Sequence, residues 1–175
     1  MKKKWKQLLA GMLALVFTLT GMFRSMPEVH AADQMQIHMT VGRVVPYNDH
    51  LTHEFTLADG TQAYCLQPSS SNPDTGTYTA VKSDNSLLTS VMYYGYGGPG
   101  WDSPMGLRNN TPAEARDDID MHIYWTHVLA AYAFGSDDAF KGVEQNTQNG
   151  LIAIANFWAQ NPGVPAGYSA YLFNQ

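Results

Sequence analysis

The chain has 175 residues, 45% of them hydrophobic and 14% charged, with a formal charge of −5. Five of its ten basic residues fall within the first 31 positions. Beyond them five basic residues face fourteen acidic ones, a formal charge of −9. That balance argues against nucleic acid and against anionic membranes as partners, since both call for clustered Lys and Arg.

Residues 1–31 read as an export signal. Lys2, Lys3, Lys4 and Lys6 form a positive start, and an apolar run follows from Leu8 to Phe23. Val29-His30-Ala31 then offers small residues for cleavage before Ala32. The run falls short of the about 20 residues a membrane span needs. The signal implies an exported protein, at the cell surface, in the wall or secreted. Residues 32–175 are enough for one domain with its own core. The end at Tyr171–Gln175 brings no linker and no second hydrophobic segment. The chain is therefore expected to be the N-terminal part of a longer surface protein, with further domains as neighbours.

Residues 35–45 alternate Ile37, Met39, Val41 and Val44-Val45, a first strand. Phe55 and Leu57 lead into Asp59-Gly60, a hairpin signal, with Ala63 and Cys65 on the return strand. A period of two puts Ala63 and Cys65 on one face, Tyr64 and Leu66 on the other. Pro68–Gly76 reads as a loop, and Thr77–Val81 as a further strand. Ser86–Tyr94 reads as a short helix, stopped by the run Gly95-Tyr-Gly-Gly-Pro-Gly100. Thr111-Pro-Ala-Glu114 carries the residues of a capped helix start. A long helix is expected over 118–134. Asp117, Asp118 and Asp120 suit its front, and Gly135 suits its end. Ile119, Ile123, His127, Ala130 and Phe134 share its inward stripe, while His122 leans outward. A last helix runs over 147–160 with Leu151, Ile154, Ala155 and Trp158 on its apolar side. Strands first and helices after them make an α+β fold.

Cys65 is the only cysteine. An exported chain with one thiol forms no internal disulfide. The thiol is then an intermolecular partner, a buried hydrophobe or a reactive group. His127 is the inward-facing histidine of the helical half, and a Cys65–His127 pair is one way to activate a thiol. Its bland counterpart is a packed cysteine beside a hydrogen-bonded core histidine. His38, His50 and His53 belong to the strand region. No His-x-x-x-His or Cys-x-x-Cys spacing suggests a metal. A third chemistry needs no cofactor: a thiolate attacks a Gln carboxamide, ammonia leaves, and an internal thioester remains.

Tyr64-Cys65-Leu66, then Tyr93-Tyr-Gly-Tyr-Gly-Gly-Pro-Gly100, then Trp125-Thr-His-Val-Leu-Ala-Ala-Tyr132 together resemble the thioester domains of Gram-positive surface adhesins. The resemblance covers about residues 35–160. It implies a β-rich part carrying an aromatic-Cys-aliphatic triplet, joined to a helical part near the N-terminus of a wall-anchored or pilus-tip protein. It implies covalent attachment to an amine-bearing host or cell-surface protein, rather than turnover. In that family the acyl donor is a Gln in a Thr-Gln helix start. Here His127 stands at the corresponding place, and imidazole supplies no acyl group. Thr147-Gln148, followed by Leu151-Ile152-Ala153-Ile154, is a second match. The site residues are therefore Cys65 with Gln148 for a thioester, or Cys65 with His127 for a thiol pair. The second choice would make an exported cysteine hydrolase or acyltransferase. A non-reactive structural module of a wall or pilus protein is the third reading.

Overall fold

The computed structural model describes residues 34–47 and 50–173, and the export signal read over 1–31 lies outside them. The chain divides into the units Met1–Gln34 and Met35–Gln175. Of the first unit only Gln34 is described, and the second holds the fold. Five strands, β1 (Gln34–Tyr47), β2 (His50–Leu57), β3 (Gln62–Ala63), β4 (Gly76–Lys82) and β5 (Tyr171–Phe173), form one sheet in the order β3-β2-β1-β4-β5. Three helices, α1 (Ser86–Tyr94), α2 (Ile119–Phe134) and α3 (Gln145–Gln160), make up the helical part. The class is α+β.

The β2–β3 turn follows from Asp59-Gly60. Gly60 sits at φ +86°, a conformation most side chains resist, and Asp59 Oδ1 accepts from Thr61 N at 2.9 Å. The antiparallel register then sets Phe55 opposite Ala63. β1 and β2 are also antiparallel, with a break in register between Val41 and Val44. At that break Arg43 reaches Asp120 in the first turn of α2 (2.5 Å) and Glu54 of β2 (3.4 Å). The Arg43 side chain is half exposed, so this link contributes only about 0–1 kcal/mol.

Strand β3 is shorter than alternation alone suggests. It ends at Ala63, and Cys65 lies two residues beyond it. The ladder stops because the next backbone groups turn to the helical part: Cys65 N–H donates to His127, and Leu66 O accepts from Ser136 Oγ. The facing pattern nevertheless persists. Ala63 and Cys65 pack with Met39 and Phe55, while Tyr64 and Leu66 pack on the helical core.

Helix α1 is capped by Asn85, whose Oδ1 accepts from Leu88 N at 2.9 Å. The start of α2 differs from the expectation. Thr111-Pro-Ala-Glu114 follows one short 3-10 turn (Leu107–Asn110) and runs into a second (Ala113–Ala115), and Asp118 is the cap, accepting from Met121 N at 3.0 Å. Thr111 Oγ1 is committed elsewhere, donating to Arg108 O at 2.8 Å. Nor does α2 bury one stripe. From Met121 to Ala131 only Trp125 is more than marginally exposed, and His122, expected to lean outward, is fully buried. Phe134, expected inside, is 44% exposed, one residue before the left-handed Gly135 cap. A helix covered on nearly all sides has no periodic signal to read. Helix α3 seats Leu151, Ala155 and Trp158 in the same core as Leu88, Val91, Tyr94 and Leu129. Strand β5, which the sequence pattern does not announce, pairs antiparallel with β4.

Candidate functional site

The segment Tyr64–Ser69 leaves the sheet and is held by the later part of the chain at Tyr64, Cys65, Leu66 and Ser69. Tyr64 Oη donates to Tyr96 O in the glycine-rich run. Gly97 of that run sits at φ +74°, and a Cβ there would stand 2.4 Å from Gln62 Cγ. The glycine is thus required both by conformation and by close approach to the strand that leads into the thiol. Tyr96 N donates to Thr126 Oγ1 at 3.0 Å, tying the run to α2. Farther on, Leu66 O accepts from Ser136 Oγ, Ser69 N donates to Asp138 Oδ2 at 2.8 Å, and Lys141 Nζ donates to Ser69 Oγ at 3.2 Å. The Asp138 carboxyl is held below the usual range by the Ser69 hydrogen bond.

Cys65 and His127 are brought together, but not thiol to imidazole. Cys65 N–H donates to His127 Nδ1 at 3.1 Å. With Nδ1 accepting, the ring proton is on Nε2, which faces His53 O at 3.1 Å and Thr52 Oγ1 at 3.0 Å. The ring meets Tyr64 edge-on at 4.9 Å and Phe55 at 5.9 Å. Burial lowers the His127 pKa to about 4, and the His53 carbonyl, which favours the cation, only partly offsets this. Cys65 is a free, half-buried thiol, and its Sγ donates to Gln67 O at 3.5 Å.

Gln148 is half-buried in the first turns of α3 and donates Nε2–H to Val143 O at 2.7 Å. It lines an open depression of about 590 Å³ together with Tyr132, Ser136, Asp138, Phe140 and Lys141. A second depression of about 300 Å³, containing Gln67 and Ser70, shares Ser136, Asp137 and Asp138 with the first. The stretch Ser136–Asp138 is therefore common to both sides, holding the backbone of the thiol segment and walling the space that Gln148 lines. No hydrogen bond joins Cys65 to Gln148 among the described residues. Ser136 and Asp138 escape sequence reading because a serine and an aspartate after a helix cap are ordinary loop residues. Only the tertiary fold shows what they hold. No group of three or more potential metal ligands occurs among the described residues.

The His127 tether makes stability pH-dependent. A buried neutral histidine takes up a proton less readily folded than unfolded. Its contribution is complete above the ordinary pKa of 6.5 and is lost as pH falls toward about 4. The shift corresponds to a loss of about 3 kcal/mol across that window. Burial lowers the His122 pKa too, with the same sign. Urea unfolding at pH 7 and pH 4 is expected to show this loss, and His127→Leu is expected to flatten the slope. A wild-type profile that is level down to pH 4 would refute the buried neutral state.

No curated protein and no solved structure matches this sequence. A family model described as "Thioester domain" matches residues 36–165. That span takes in the thiol segment, the glycine-rich run, all three helices and the depression lined by Gln148, and this chain belongs to the thioester-domain family.

Proposed function

We propose that this domain stores an internal thioester between Cys65 and Gln148 and spends it on covalent attachment to an amine-bearing protein on a host or neighbouring cell surface. The observation that carries the reading is a lone free thiol, in a segment hydrogen-bonded to the helical part through Cys65 and Leu66, within a match to the thioester-domain family. Sγ attacks the side-chain carbonyl carbon of Gln148. The C–N bond breaks, and ammonia leaves with the thiol proton. A target amine later attacks the same carbon; the C–S bond breaks, an amide forms, and the thiol regains a proton. Gln148 lines an open depression with Ser136 and Asp138, and Cys65 does not line it, so the two side chains must approach each other for the bond to form. Forming the bond requires its amide to release Val143 O.

Storage is favoured over turnover by the direction of His127. Its one unprotonated nitrogen faces a backbone N–H instead of Sγ, so it is not placed to take the thiol proton. The export signal, the surface location and the further domains downstream belong to the same proposal, resting on the sequence of residues 1–31 and on the family resemblance. The test is the intact mass of the mature, unreduced domain with and without methylamine. The wild type is expected to be short by one ammonia and to gain methylamine; Cys65→Ala is expected to do neither. A wild-type domain of full mass with a readily alkylated thiol would end the thioester reading.

A further inference from the structure

Acyl transfer at a serine or cysteine commonly uses the nucleophile's own backbone N–H as an oxyanion donor. In this chain that N–H is occupied. Cys65 N–H donates to His127 Nδ1, and the ring is pinned from the other side through Nε2 by His53 O and Thr52 Oγ1. Phe55 and Tyr64 fix the ring plane, and the residue is 6% exposed. No hydrogen bond in this arrangement ends on Sγ. All of it determines where the Cys65 amide points.

We infer that His127 is a positioning residue that withholds the Cys65 amide from the acyl carbonyl and so keeps the stored bond slow to react with water. This rests on the thioester reading above and adds how the bond survives. Hydrolysis would proceed by addition of water to the acyl carbon. The C–S bond breaks with its electron pair going to Sγ, which takes a proton, and residue 148 is left with a carboxyl group. The developing negative charge is on the acyl oxygen, the atom the Cys65 N–H would stabilise were it free. A neutral His127 competes for that hydrogen. A cationic His127 has a proton on Nδ1 and cannot accept it. The groups facing the ring are Thr52, His53 and Phe55 from β2, and Tyr64 and Cys65 from the thiol segment; none of them is a carboxylate that would hold the cation in place.

The experiment follows the mature domain by mass, reading ammonia loss first and then the rate at which water adds back. His127→Leu removes the acceptor. It is expected to hydrolyse roughly tenfold to a hundredfold faster than wild type, up to the loss or gain of one oxyanion donor. In wild type the rate is expected to rise in a step as pH falls through about 4, where His127 protonates. That step is expected to be missing in His127→Leu. Because protonating His127 also costs stability, the rates are compared only at pH values where urea unfolding shows both proteins to be folded; Thr52→Val, which disturbs the same pocket but keeps the imidazole, is expected to retain the step. In parallel, the ring nitrogen shifts of His127 at neutral pH are expected to report a proton on Nε2. Ammonia loss in both proteins with equal hydrolysis rates and no acid step would overturn this inference alone. Absence of ammonia loss in wild type would overturn the thioester reading and this inference together.

Discussion

Gln148→Ala is expected to give a folded domain that keeps its full mass and takes up no methylamine, as complete a loss as Cys65→Ala produces. The side chain donates one hydrogen bond, to Val143 O at 2.7 Å, on a half-buried first turn. Removing it costs about 1 kcal/mol, small beside the 5–15 kcal/mol typical of a domain, so loss of reactivity would not reflect unfolding. Gln67→Ala is the matching control. Gln67 is the glutamine nearest the thiol along the chain, but it is the backbone carbonyl that meets Sγ, at 3.5 Å, and the substitution leaves that carbonyl in place. Gln67→Ala is therefore expected to lose ammonia and take up methylamine as wild type does. Mass spectra of the three proteins before and after methylamine decide the matter. Ammonia loss persisting in Gln148→Ala would remove Gln148 from the site and send the search for an acyl donor to the other side of the Ser136–Asp138 stretch.

The parts of this molecule that sequence reading recovered are those written in local chemistry. Asp59-Gly60 announces its turn, and Gly135 announces the end of α2. The alternation of Ala63, Tyr64, Cys65 and Leu66 gives the correct two faces even after the strand has ended. What it does not give is where the ladder stops, because that depends on partners 62 and 70 residues away, His127 and Ser136. The same limit explains His122 and Phe134. Periodicity assigns an inward and an outward side, but α2 is enclosed almost all round, so a histidine on its supposed outer side is buried. Thr111-Pro-Ala-Glu114 shows a local signal overridden, the threonine hydroxyl having found Arg108 O. At the site, the lone thiol and the inward-facing histidine pointed to Cys65 and His127, and the family resemblance pointed to Gln148. The distinction between a histidine bonded to a thiol and one bonded to the amide of the same residue exists only in three dimensions.

Trp158→Ala is expected to be the most damaging single substitution for stability, about 3–5 kcal/mol. Trp158 is fully buried, stacks on Tyr94 at 5.7 Å between centroids, and donates Nε1–H to Met105 O at 2.7 Å. Truncation therefore opens a large cavity and leaves a carbonyl without its donor. Trp158→Phe separates these costs. It keeps an aromatic ring against Tyr94 and gives up the hydrogen bond, for about 1–2 kcal/mol. The consequence reaches the site because Leu151, Ala155 and Trp158 are the stripe that seats α3, and Gln148 lies at the edge of that stripe, three residues before Leu151. A helix that has lost its anchor can rock, and Gln148 then meets the thiol segment in fewer molecules. Urea midpoints and the fraction of molecules short by one ammonia should fall together in Trp158→Ala, while Trp158→Phe keeps most of both. Destabilisation of less than about 1 kcal/mol in Trp158→Ala would mean that this ring does not seat α3. A full loss of stability with an undiminished thioester fraction would mean instead that Gln148 is positioned by its own first turn and not by the packing of the helix.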